Sequence, residues 1–230
     1  MVALALSLGG AVLVVAAGPG SRAGLWHFRT GFSMFRWAVY VAIVGAVLGL
    51  AALVLGSARA VAAAAIVAGL GTAAIPLALQ RLARAVPPIH DITTDTDDPP
   101  PFEVVLSARK AAGATNTTDY GGAEIAAAQK AAYPEVKPLV LSDPPPRAFE
   151  RALEAVRAMG WEVADVDPRR GRIEATDTTR WFAFKDDVVV RVRPEGAGSR
   201  VDVRSLSRVG KSDIGTNARR IRGFLQRLQG

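Results

Sequence analysis

The sequence predicts a small α+β domain carried behind a set of transmembrane helices. Three observations carry that prediction. Long uncharged apolar runs fill the first 86 residues. From Pro87 onward proline, aspartate and threonine replace alanine and valine. After Tyr133, segments with period-two alternation lie between two amphipathic helical patterns. Charge follows the same divisions: residues 1–86 hold six arginines and no acid, 87–136 hold eight acids and three bases, and 137–230 hold nineteen bases and thirteen acids.

Residues 37–57 carry no charge and are long enough for a helix to cross the ~30 Å hydrocarbon core of a bilayer. A second uncharged run, about 60–79, is richer in alanine and calls for a partner helix. Only Ala58 and Arg59 separate the two, which predicts a tight helical hairpin. Gly45 with Gly49, and Gly69 with Ala73, offer small-residue pairs for close helix approach. A third run, about 1–17, ends at Gly18-Pro19-Gly20. It lacks the basic start of a signal peptide and reads as a membrane helix.

In the 18–36 connection, Arg22, Arg29 and Arg36 recur every seven residues, flanked by Trp26, Phe28, Phe32, Phe35 and Trp37. On a helix the arginines form one stripe, and arginine with aromatics suits a membrane–water interface. His27 reads as one more interfacial side chain. With three spans, Arg22, Arg29, Arg36, Arg81 and Arg84 share one side and Arg59 lies on the other. The excess of bases predicts a multi-pass protein of a bacterial inner membrane with its C-terminal domain in the cytoplasm.

Residues 87–132 read as an acidic, alanine-rich linker arm with short helices near 103–111 and 122–132. It opens with Asp91, Asp95, Asp97 and Asp98 beside His90. Four carboxylates suggest Ca²⁺, but Asp97 is followed by Asp98 and Pro99, which breaks calcium-loop spacing. Acid–base work would need a pocket to shift pKa values. The acids could also pair with a basic domain surface. The membrane-exit linker is the leading reading, and no metal or cofactor is predicted.

The compact domain is expected over 133–230. "KPLVL" reads as a short strand. Asp143 before Pro144 reads as a helix start, Phe149, Leu153 and Val156 as its inner face, and Gly160 as its stop. "WEVADVD", "RIEAT", "DDVVVRVRP" and "RVDVRS" read as strands, with Val188, Val190, Val192, Val201 and Val203 inward. A last helix over about 213–228 places Ile214, Ala218, Ile221, Leu225 and Leu228 on one stripe. The order is strand, helix, antiparallel meander, helix, with the sheet packed on two helices.

The chain has no cysteine, which excludes disulfides and thiolate chemistry, and its two histidines make a His-based triad or metal site improbable. "VGKS" at 209–212 precedes a helix, but the Walker pattern needs glycine where Ser205 stands. Ser207, Arg208, Lys211, Ser212, Asp213 and Asn217 gather near a helix N-terminus and form a candidate anion or ligand site. The alternative is that Ser212 or Asp213 caps the helix while Arg208 pairs with Asp213. Trp181, Phe182 and Phe184 form a candidate groove for an apolar ligand, or else core beneath the helices. The interspersed acids argue against nucleic acid.

The run Arg204-Ser205-x-Ser207-Arg208-x-Gly210-x-x-Asp213-x-Gly215-x-Asn217-x-x-Arg220 resembles the domain-of-unknown-function family 1499, in its membrane-anchored bacterial members. "AYPEVKPL", "IEATDTTRWFAF" and "FKDDVVVRVRP" are similar too. The resemblance covers about residues 130–229, and the entry segment "IHDITTDTDDPPPF" looks alike as well. Many relatives open the domain with a cysteine-containing motif that this chain lacks, so no redox role carries over. The resemblance implies fold and membrane placement but no reaction. The leading functional expectation is a soluble domain that binds a protein partner or apolar ligand without catalysis. A lipid or hydrophobic-ligand carrier at the bilayer surface comes next, and an enzyme third.

Overall fold

The uncharged apolar runs fold as three long helices: α1 (Val2–Arg22), α2 (Phe28–Val54) and α3 (Arg59–Ala85). The computed structural model describes residues 1–230. Each helix is long and apolar enough to cross a membrane. Together with Arg180–Ala183 they form one unit, and Val86–Thr179 with Phe184–Gly230 form a second.

Small residues let the three helices approach closely. A Cβ added at Gly45 would collide with Ser7, and one at Gly69 would stand 2.5 Å from the Ala42 carbonyl. Gly49 faces the Ala62 carbonyl in the same way. Ser7 Oγ donates to the Ala65 carbonyl at 2.8 Å, so a hydroxyl that lipid could not satisfy finds an acceptor on α3.

Two boundaries differ from expectation. Helix α1 runs through Gly18-Pro19-Gly20 rather than stopping there. The glycines make room for indoles: a Cβ at Gly18 would collide with Trp181, and one at Gly20 with Trp26, whose Nε1 donates to the Ala17 carbonyl at 3.1 Å. The three arginines also do not share one helix. Arg22 ends α1, the chain turns at Gly24 (φ +73°), and Arg29 and Arg36 lie on α2. Exposed His27 caps α2, its Nδ1 accepting from Arg29 N at 3.3 Å.

The second unit is built on a six-stranded antiparallel sheet: β1 (Asp91–Thr93), β2 (Leu139–Leu141), β3 (Glu162–Asp167), β4 (Arg172–Thr178), β5 (Lys185–Glu195) and β6 (Gly198–Ser207). The order is β1-β6-β5-β4-β3, and β2 pairs with the other half of the β6 edge. Four helices accompany it: α4 (Val105–Ala111), α5 (Gly122–Ala132), α6 (Pro145–Ala158) and α7 (Thr216–Gln229). This is the α+β architecture expected, with α6 and α7 on the apolar face.

Alternation along the strands gives the sheet two different faces. On one, Ile173, Val188, Val190, Val201 and Val203 bury against Phe149 and Val156 of α6 and Ile221, Phe224 and Leu228 of α7. Phe224, rather than the expected Leu225, is fully buried, and its ring stacks on Trp161 at 5.6 Å. Burial of such side chains at roughly 25 cal/mol per Å² is the main term holding the layers together. The other face carries Arg172, Glu174, Thr176, Asp187, Arg191, Asp202 and Arg204, in rows set by the register Glu174–Val189–Arg204 and Thr176–Asp187–Leu206.

That charged face is where the linker reading fails. Asp91–Thr93 is a strand of the sheet, and Phe102 and Val105 cover Val189 and Leu206. The reason is polar: a face bearing buried charges must be supplied with partners, and residues 91–120 bring them. Glu174, fully buried, accepts the N–H groups of Glu103, Val104 and Val105 at 2.8–2.9 Å, the free donors at the start of α4. Helix α6 also starts one residue late. Pro144 is its N-cap, because Pro145 takes the first helical position, and Asp143 instead pairs with Arg147 and Arg151.

Candidate functional site

The motif run folds inward around both faces of β6. Arg204 grips Asp91 with two bonds, Nε–Oδ1 2.9 Å and Nη2–Oδ2 2.7 Å, both residues buried. Its guanidinium lies over the rings of Phe102 (5.1 Å) and Tyr120 (5.6 Å). Four residues on, Arg208 forms a two-bond pair with Asp187, Nε–Oδ2 2.9 Å and Nη2–Oδ1 2.7 Å. Asp187 is 0% exposed and also accepts from Arg109 Nη1 (2.6 Å) and Thr176 Oγ1 (2.7 Å). Arg208 therefore does not pair with Asp213, and it does not face solvent as an anion-binding group would.

On the α7 side, Ser205 Oγ donates to Asn217 Oδ1 at 2.8 Å and accepts from Arg220. Asn217 Nδ2 donates to Ser207 Oγ (3.1 Å) and to the His90 carbonyl (2.9 Å). Arg220 closes the cluster on Asp186 (2.6 Å) and Asp177 (2.8 Å). Neither hydroxyl donates to an imidazole or a carboxylate, so neither serine has the general base that nucleophilic catalysis needs.

Asp213 is the cap. Its Oδ1 accepts Gly215 N at 2.8 Å and its Oδ2 accepts Asn217 N at 2.7 Å, while Ser212 Oγ accepts Ile214 N at 3.2 Å. Ile214 (φ +53°) and Gly215 (φ +71°) are left-handed, so α7 begins at Thr216 and Ile214 stands outside it. Burial pushes the Asp213 carboxyl above its ordinary pKa, against the two backbone donors that lower it. Of the six candidate anion residues, Ser207, Arg208 and Asn217 are buried in the network, Ser212 and Asp213 shape the turn, and Lys211 is exposed.

The candidate groove also divides. Trp181 and Phe182 belong to the helical unit, where Phe182 lies 5.0 Å from the Phe32 ring and 5.8 Å from Phe35. Phe184 belongs to the sheet unit, where its backbone exchanges bonds with Thr179. None of the three joins the apolar cluster beneath α6 and α7, where Trp161 and Phe224 stand instead.

Asp91, Asp95 and Asp98 are held by arginines, and exposed Asp97 lies 3.7 Å from Lys130 Nζ. Asp95 Oδ2 accepts from Arg200 (2.7 Å), Arg193 (3.3 Å) and Arg191 (3.4 Å), and Asp202 binds the same three. Burial raises the Asp95 pKa, but the N–H groups of Asp98 and Asp97 and the nearby arginines outweigh it and hold the carboxyl low. Glu103 is held down to about 2 by hydrogen bonds from Arg170 and Arg172. Of the readings open for this run, pairing with basic side chains matches the geometry.

An open cleft of about 480 Å³ lies beside α5, lined by Thr96, Pro99, Tyr120, Ala123, Ala127 and Lys130 among others. The Tyr120 hydroxyl is buried and has no hydrogen-bond partner. Desolvation pushes its pKa up to about 12, so it remains a donor. Nothing in local sequence pattern marks Tyr120 or Arg109, because each gains its surroundings from strands far along the chain, Tyr120 beside Arg204 and Arg109 on Asp187.

The family model described as "Protein of unknown function (DUF1499)" matches residues 91–228, from the edge strand β1 to the end of α7. The chain belongs to the DUF1499 family. The match begins at the strand that supplies Asp91 to Arg204, so the acidic entry segment is part of the family domain. No curated protein matches the chain at a significant level. Among solved structures, the crystal structure of TTHA0849 from Thermus thermophilus is similar over 40% of this chain and 94% of its own, at 14% identity and TM-score 0.25.

Proposed function

We propose that this protein is a membrane-tethered binding protein whose DUF1499 domain recognises a partner protein without catalysing a reaction. The observation that supports this reading is the fate of the motif. Its arginines, serines, Asn217 and Asp213 bond to one another and to the backbone inside the fold. A reacting centre would instead aim such groups at a space for substrate.

Recognition is assigned to the cleft beside α5. Ala123, Ala126 and Ala127 offer a small apolar floor beside Tyr120, and Asp97 and Lys130 a charged rim at 3.7 Å. A peptide segment with one apolar side chain flanked by charged groups fits that chemistry. The runner-up, a carrier of apolar ligands, finds less support. The space between the sheet and α7 where such a ligand would sit is filled by Ile221, Phe224 and Leu228.

The test places a photoreactive benzoylphenylalanine at Ala127 in the full chain, in the membranes of its own cell. A discrete cross-linked protein is expected, and Ala123→Trp, which fills the cleft, should remove it while leaving the melting temperature unchanged. No adduct, or an adduct indifferent to Ala123→Trp, would overturn the cleft as a recognition site.

A further inference from the structure

We propose that the segment Arg180–Ala183 is a membrane-interface element, seated in the headgroup layer beside the helices whose unit it joins. Three observations within that unit carry the proposal. The segment is bound to the helices: Arg22 Nη1 donates to the Arg180 carbonyl at 2.9 Å, and Phe182 packs on Phe32 and Phe35. The Trp181 indole occupies the space over Gly18, where a Cβ would collide with the ring. Yet Trp181 remains 46% exposed, and Arg180 beside it is exposed as well.

Depth decides what surrounds them. Helix α1 rises about 30 Å over its 21 residues and ends at Arg22, the first charged side chain. Gly18 is one turn short of that charge, at the edge of the apolar stretch. A tryptophan whose one face covers Gly18 therefore stands where amphipathic rings favour the lipid–water boundary. Trp26, Arg29 and Arg36 lie in the same connection and early α2, so the segment completes a belt of arginine and aromatic side chains. Left-handed Ala183 (φ +56°) ends the segment in a strained conformation for a residue with a Cβ.

Because the chain has no cysteine, single introduced cysteines report position without background. The full chain is reconstituted in phosphatidylcholine vesicles with an NBD fluorophore at one of four sites: Trp181→Cys, Arg180→Cys, Val47→Cys or Ala197→Cys. Lipids carrying a nitroxide near the headgroup or deep in the acyl chain serve as quenchers. Positions 180 and 181 are expected to give blue-shifted emission, quenched several-fold more than position 197 and more strongly by the shallow nitroxide. Arg180→Cys keeps the indole, so it still reports if Trp181→Cys unseats the segment. Quenching at 180 and 181 no greater than at 197, with Val47→Cys quenched by the deep nitroxide, overturns the proposal. Absence of quenching at Val47 overturns it as well, by removing the span on which it rests.

Discussion

Arg204 on β6 and Asp91 on β1 face each other through two hydrogen bonds, with neither side chain exposed to solvent. The pair joins the first residue of the family match to the first residue of its motif. Removing one partner leaves the other charged and buried without compensation. Asp91→Ala should therefore cost ~3–5 kcal/mol, whereas Asp91→Leu combined with Arg204→Met should recover much of that loss. Denaturant unfolding of the full chain in detergent, followed by near-ultraviolet circular dichroism, compares them. A double variant no better than Asp91→Ala would count against the pair as the cause.

Asp187 is the hub of a second cluster, with Arg208 and Arg109 both bonded to it. A double-mutant cycle of Arg208→Ala and Asp187→Ala should show coupling of ~0.5–3 kcal/mol. The cycle of Arg208→Ala with Asp213→Ala should show little, because Asp213 spends its oxygens on the Gly215 and Asn217 N–H groups. Asp213→Ala alone should cost ~0.5–2 kcal/mol as the loss of a cap. Strong coupling of Arg208 to Asp213 would contradict this arrangement.

Acid should act through opposing groups. The Glu103 pKa is lowered from 4.5 to about 2, so its stabilising contribution is present above 4.5 and is lost as pH falls towards 2. The Asp95 pKa is also lowered, and its contribution is lost in the same direction. The Asp213 pKa is raised above 3.8, so its contribution is full below 3.8 and is lost as pH rises through the folded value. Melting temperatures measured across this range should fall on acidification, less steeply in Glu103→Gln. In Asp213→Asn the fall just above 3.8 should be steeper. A Glu103→Gln profile parallel to the wild type would remove Glu103 from this account.

Gly45 and Gly9 make a matched comparison in the helical unit. A side chain at Gly45 meets the Ser7 backbone at 2.7 Å, while nothing lies within 4 Å of a Cβ at Gly9. Gly45→Leu should lower stability in detergent by ~1–3 kcal/mol through overpacking, and Gly9→Leu should be near neutral. Equal melting temperatures for the two variants would show that α1 and α2 do not pack as described.

A cytoplasmic C-terminal domain is the expectation from five arginines, Arg22, Arg29, Arg36, Arg81 and Arg84, against Arg59. Alkaline phosphatase fused after Gly230 should be inactive, since that enzyme needs disulfides that the cytoplasm does not let form. Strong activity would place the C-terminal domain on the opposite side.

The three long helices, the meander and the two helices on its apolar face were legible from sequence. Each rests on a local signal: uncharged runs of span length, the alternation of Val188, Val190 and Val192, and the stripe through Ala218 and Ile221. Periodicity reports which residues must leave water, and that requirement is written residue by residue. Where a second force competed, the signal misled. Gly18-Pro19-Gly20 reads as a helix stop, yet the glycines serve two indoles that arrive from elsewhere.

Only the tertiary structure decided the role of the acids. Asp91, Asp95 and Glu103 lie in a proline-rich stretch that looks like a solvated linker, and their arginines stand 67 to 113 residues away. Charge complementarity over such separations has no periodicity, and sequence order does not say which arginine meets which aspartate. The sheet register does, by setting Asp91 against Leu206 and so beside Arg204, and Thr176 against Asp187 and so within reach of Arg208. Burial is a property each residue carries with it, whereas pairing exists only once the strands are aligned.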